Sequence, residues 1–151
     1  MTLAKKVKKR AIKPGPVVLS INVCDTIIRD ERTKKVSLVG LFNAIHASTF
    51  PTVHPSMCVY IALTNGHGKC KLDVRFNRAS DNQIIAGMEG EIEFINPLQV
   101  VELNIELHGL RFEKAGEHHV EIFCDGHPIG CRKFLVNQKQ HMIPPTKGTE
   151  G

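Results

Sequence analysis

The segment KCKLDVRFN, residues 69–77, most constrains what this chain can fold into. Cys70, Leu72, Val74 and Phe76 alternate with Lys71, Asp73, Arg75 and Asn77, which is the period of a half-buried β-strand and not of a helix. VELNIELHG (101–109) repeats the pattern, with Val101, Leu103, Ile105 and Leu107 on one face and Glu102, Asn104, Glu106 and His108 on the other. EGEIEFI (89–95) does the same, Ile92 and Phe94 being opposed by Glu91 and Glu93.

Further strands are expected at 17–29, 35–46, 57–64 and 117–125, with a last one near 129–136. Turn chemistry punctuates them. Asp30 to Lys34 (DERTK), Asn65 to Gly68 (NGHG) and Asp125-Gly126 supply residues that tolerate left-handed backbone or bond their own main chain. FPTVHP (50–55) reads as a proline-rich crossing loop. In GLRFEKAGEHHVEIFCDG (109–126), Gly116 turns the chain and His118, Val120, Ile122 and Cys124 point inward. No window of ten or more residues has a convincing amphipathic helical pattern.

About eight strands at this spacing predict an all-β fold, an antiparallel β-sandwich of the immunoglobulin-like kind. The domain is expected to span 17–137, with a flexible basic arm at 1–16 and a tail at 138–151. At 151 residues, 42% hydrophobic, one domain can bury its own core without covalent staples. The five cysteines, Cys24, Cys58, Cys70, Cys124 and Cys131, are odd in number and irregularly spaced, so they read as reduced thiols.

The formal charge of +5 is unevenly placed. Lys5, Lys6, Lys8, Lys9, Arg10 and Lys13 stand in a stretch without acids, and removing these six leaves 14 bases against 15 acids. The basicity therefore belongs to the arm. Such an arm can neutralise phosphates or an acidic protein surface, or solubilise the chain. It has no interleaved aromatics to stack on bases. The run after it is broken by Ser20 and Asn22 and meets Asp25, unlike a cleaved leader, and no stretch has the continuous apolar length of a membrane helix. These features lead us to expect a cytoplasmic protein with no membrane partner.

Three segments together resemble an uncharacterised bacterial family of small all-β domains: CDTIIRDERTKKVSLVGLFNAI, FPTVHPSMCVYIALTNGHGKCKLDVRF and AGEHHVEIFCDGHPIG. The most specific positions are Cys24, Asp25, Asp30, Thr33, Lys35, Ser37, Leu38, Gly40 and Phe42, and the likeness runs over roughly 20–136. The resemblance implies a fold and no activity. Where such domains tend to have Gly-x-Tyr before the penultimate strand, this chain has Gly116-Glu117-His118, so an imidazole stands where a tyrosine would make a corner hydrogen bond.

CDGHPIGC (124–131) admits two readings. As chemistry, Cys124, His127 and Cys131 could ligate zinc, with Cys24 or His118 completing a tetrahedron. As structure, Cys124 continues the inward phase, Asp-Gly turns the chain and His127 begins the return strand; this explains more residues, since a second ligand knuckle is missing. Asp25 falls in the apolar phase of Val17, Leu19, Ile21, Val23 and Ile27, making it a candidate buried acid that must be paired, bonded or neutral. No nucleophile elbow, phosphate loop, zinc-protease or dinucleotide motif occurs.

Glu91, Glu93, Glu102 and Glu106 are expected to gather on one acidic face of a 90–107 hairpin, a surface suited to a basic partner. The reading that follows is a non-catalytic protein-interaction module that binds another protein or itself and needs no cofactor. Two alternatives are a nucleic-acid-associated protein tethered by its arm and a small zinc-binding protein or enzyme.

Overall fold

The computed structural model describes residues 15–139. They form nine strands: β1 (Val17–Arg29), β2 (Val36–Leu41), β3 (Ala44–Ala47), β4 (Thr52–Thr64), β5 (Gly68–Arg78), β6 (Gln83–Phe94), β7 (Val101–Phe112), β8 (Gly116–Cys124) and β9 (His127–Gln138). One sheet has the order β2-β1-β4-β7 and the other β3-β9-β8-β5-β6. Among the described residues there is no helix, hence none long and apolar enough to cross a membrane.

The alternation read from the sequence sets the register. Cys70, Leu72, Val74 and Phe76 are buried, and on β7 Leu103 and Ile105 stand opposite Ile61 and Val59 of β4. The inward residues of both sheets meet in one core that includes Val23, Met57, Ile61, Leu63, Phe76, Phe112, Val120, Ile122 and Phe134. Truncating one of these phenylalanines to alanine would cost about 3–5 kcal/mol.

The chain changes sheets more often than the sequence suggested. The expected strand at 35–46 is two: Gly40 takes a left-handed conformation (φ 74°), Phe42 and Asn43 cross over, and β3 joins the opposite sheet parallel to β9. The fold is therefore antiparallel except at that one pair. NGHG is a tight connection between sheets and not a hairpin turn, since β4 and β5 lie in different layers. FPTVHP is only partly a loop, because β4 begins at Thr52. Pro55 is accommodated there because β1 joins β4 only from Cys58 onward.

The DERTK turn forms as read. The Asp30 carboxylate accepts the Arg32 and Thr33 amides at 2.8 and 2.9 Å, bonds that hold its pKa below the usual carboxylate range. Gly130, facing inward on β9, lets β1 approach closely, since a Cβ there would come within 2.8 Å of Val18 Cγ2.

Candidate functional site: an acid-rimmed groove between two sheet edges

CDGHPIGC is a hairpin. Asp125 and Gly126 both have positive φ, 49° and 83°, as a two-residue primed turn requires, and Cys124 pairs with His127. Asp125 also ties the turn to β5, accepting the Lys71 amide and donating its own amide to the Lys71 carbonyl, both at 2.9 Å.

Cys124, His127 and Cys131 do not converge. Cys124 continues the buried face of Val120 and Ile122, whereas Cys131 stands across from Glu121 on the outer face and is exposed. The sheet separates the two thiols. Among the described residues no group of three or more histidines, cysteines or acids is arranged to hold a metal. Cys124 instead donates to the Asp125 carboxylate at 3.9 Å, and burial, with Cys70 beside it, pushes its thiol up to about 12. All five cysteines are free.

Asp25 is exposed, not buried. Two features move it: a register shift between Val18 and Ser20, and the departure of β1 from β4 at Cys24, beyond which β1 pairs only with β2. Its carboxylate lies over Gly40, in space that a Cβ at that position would claim. His118 is fully buried between Phe112 and Phe134. Its Nδ1 lies 2.9 Å from the Gly116 carbonyl, which can only accept, so Nδ1–H donates and the imidazole makes the corner bond. Burial lowers its pKa.

The four acids of the expected face are exposed but do not share a face. β6 and β7 belong to different sheets, so Glu91 and Glu93 lie on the outer face of one layer and Glu102 and Glu106 on that of the other. Alternation reveals which side of a strand is buried; it is silent on which layer the strand joins. Lys69 and Lys71 bridge to Glu91 and Glu89 at 3.8 and 3.5 Å, exposed pairs of little strength. Tyr60 donates to Glu102, and His108 lies 3.1 Å from Glu106. The six arm cations, Lys5 to Lys13, lie outside the described residues.

What the layers do bring together is a groove. β6 and β7, each 12 residues long, are the terminal strands of their sheets on the same side of the molecule, and between them opens a groove of about 340 Å³. Its floor and walls are Leu72, Val74, Met88, Ile92, Leu103 and Ile105, and Glu89, Glu91 and Glu106 stand at its lips. Gly90, across from Leu72, faces the groove and contributes no side chain. Glu89 and Gly90 are the residues that sequence reading missed; the inward phase Met88-x-Gly90-x-Ile92 was the available signal.

The family described as "Family of unknown function (DUF6941)" matches residues 19–137. The chain belongs to this family. No curated protein matches it. Among solved structures it is similar to Pseudomonas fluorescens alkylpurine DNA glycosylase AlkC bound to DNA containing an abasic site analog, at 12% identity and TM-score 0.49, covering 89% of this chain and 34% of that one. It is also similar to beta-glucosidase from Listeria innocua in complex with isofagomine, at 9% identity and TM-score 0.41, covering 78% of this chain and 16% of that one. The DUF6941 chain thus spans about a third of the glycosylase's length and less than a fifth of the glucosidase's.

Proposed function

We propose that this chain is a non-catalytic protein-interaction module of the cytoplasm, an immunoglobulin-like sandwich that receives an extended basic segment of a partner protein along the β6/β7 groove. The observation that carries the reading is two long strands, each paired on one side only among the described residues, with an apolar groove between them and acids at its lips. Unpaired strand edges offer backbone donors and acceptors to an added strand, and the pockets beside them select its side chains.

Charge sets the choice of partner. Two copies of β6 laid edge to edge would oppose Glu89, Glu91 and Glu93, which like-charge repulsion disfavours. A lysine- or arginine-rich strand meets the opposite field, and an aliphatic side chain on it fits the space above Leu72 that Gly90 leaves open. Self-association through this edge is thereby suppressed in favour of a basic partner.

A displayed library of random peptides, selected against the full-length chain with its six arm cations replaced by glutamine, tests this reading. Enriched peptides are expected to be basic with an aliphatic residue and to lose at least tenfold in affinity against the same protein carrying Gly90→Leu. Enrichment of peptides indifferent to Gly90→Leu, or none at all, contradicts it.

A further inference from the structure

The first sheet forks at Cys24. Up to that residue β1 runs beside β4; beyond it β1 pairs with β2 alone, and residues 52–57 of β4 have β7 as their one strand neighbour among the described residues. The fork opens a pocket of about 400 Å³, walled by Asp25 of β1, Leu41 of β2, Phe42 in the crossover, Ile45 and His46 of β3, and His54 of β4. It shares no residue with the β6/β7 groove.

Two polar groups in this pocket stand without partners. The Asp25 carboxylate is exposed and lies over Gly40, and among the described residues no cation, His46 and His54 included, is within ion-pair reach of it. His54 Nε2 is buried and has no hydrogen-bond partner, and its ring stands 6.0 Å from that of Phe42. A buried polar atom without a partner is unfavourable, and a ligand that supplies one reverses that loss.

The chemistry of the walls selects the ligand. An unpaired carboxylate attracts a cation, but among the described residues no three acids, histidines or cysteines converge as they would to hold a metal. Since Asp25 and His54 stand apart, one small ion cannot serve both. A guanidinium can, because it is a permanent cation with five N–H donors in a planar fork. One edge pairs with the Asp25 carboxylate while another N–H reaches His54 Nε2, which accepts when the imidazole proton is on Nδ1. Its flat face and an aliphatic stem suit Phe42, Leu41 and Ile45, whereas an ammonium is a compact, strongly hydrated point charge.

We propose that the fork between β1 and β4 binds a guanidinium on an aliphatic stem, with Asp25 pairing the charge and His54 Nε2 accepting a second N–H. The stem belongs to a free alkylguanidine or to an arginine side chain of another protein chain, which present the same chemistry.

Amide NMR titrations of the full-length protein test this with three probes: butylguanidine, Nα-acetyl-arginine amide and Nα-acetyl-citrulline amide, in which a neutral urea replaces the guanidinium. The first two are expected to give saturable shifts concentrated in residues 24–26, 40–46 and 53–55, and the citrulline compound to bind at least about tenfold more weakly. Asp25→Asn, at an exposed side chain, and His54→Phe, which keeps a ring beside Phe42, should each weaken guanidinium binding about tenfold. Amides remote from the fork should keep their wild-type shifts and show that each variant is folded. Tighter binding of butylguanidine than of the arginine amide identifies a free small molecule as the source, and the reverse order an arginine side chain. Absence of saturable shifts, equal binding of the citrulline compound, or affinity unchanged in either variant would overturn the proposal.

Discussion

Gly90 of β6 stands directly across from Leu72 of β5, on the inward face of a terminal strand, where any other residue would cover the groove. A Cβ at Gly90 would meet nothing within 4 Å, and the glycine needs no left-handed backbone. Its lack of a side chain is thus not required by the fold.

Gly90→Leu is therefore expected to stabilise the protein by about 1 kcal/mol, through lost freedom in the unfolded chain and added cover for the core, raising Tm by about 4 °C. Thermal unfolding followed by circular dichroism measures it. A gain in stability accompanied by loss of ligand binding is the pattern of a residue kept small for function.

Gly130 gives the opposite result. Its Cβ would press on Val18 Cγ2 at 2.8 Å and approach Ile21 Cδ1 at 3.5 Å, so Gly130→Val is expected to destabilise by about 1–3 kcal/mol through overpacking. Urea unfolding midpoints compared at a common slope would show it.

His118 couples stability to pH. Its folded pKa is lowered by burial, with the nearby Arg78 and His119 charges acting in the same direction and its bond to Gly116 and the Asp81 charge acting against them. The folded state thus binds its proton less readily than the unfolded chain. Stability should be complete above the unfolded value of about 6.5 and decline as pH falls from there toward the lowered folded value. His118→Phe, which keeps a ring between Phe112 and Phe134, is expected to flatten that decline in unfolding curves measured from pH 7.5 to 5. An unchanged slope would assign the pH dependence to other groups.

Asp81 acts at lower pH. Its carboxylate receives both Nε and Nη2 of Arg78, at 2.9 and 2.6 Å, and that bond lowers its pKa to about 2. The resulting stabilisation is present above the ordinary aspartate value of 3.8 and is lost as pH falls toward 2. Asp81→Asn should remove this part of the acid unfolding, as a tryptophan-free protein can report by far-ultraviolet circular dichroism between pH 5 and 2.

Thiol labelling separates the cysteines. Only Cys131 of the five is exposed; burial raises its thiol along with those of Cys24, Cys58 and Cys124, Cys124 to about 12, so exposure is what separates them. A colourimetric disulfide reagent at pH 8 should consume one thiol per native chain and five after denaturation. Rapid native reaction of more than one thiol would contradict the burial of the other four.

Much of the fold was legible because period-two alternation survives wherever a strand is paired regularly. It failed where the ladder is interrupted. The bulge opposite Phe76 and Asn77 breaks the phase of residues 83–88, so the first half of β6 was not seen, and the left-handed Gly40 divides one apparent strand between two sheets. The same limit misplaced the acids: Glu91 and Glu106 were correctly read as outward, but outward in opposed layers. Beyond the inward phase of Met88, Gly90 and Ile92, the groove was not legible, since it is made by the spatial alignment of two terminal strands.

An amide nitrogen–proton NMR titration tests most directly whether the β6/β7 groove takes up an extended basic segment. A synthetic peptide corresponding to residues 1–14 would be added to the full-length chain whose six arm cations are replaced by glutamine. Saturable shifts are expected, concentrated in residues 86–93 and 102–107, weakened by 0.5 M salt and abolished by Gly90→Leu. Shifts spread over the outer faces of both sheets, or persisting with Gly90→Leu, would contradict it.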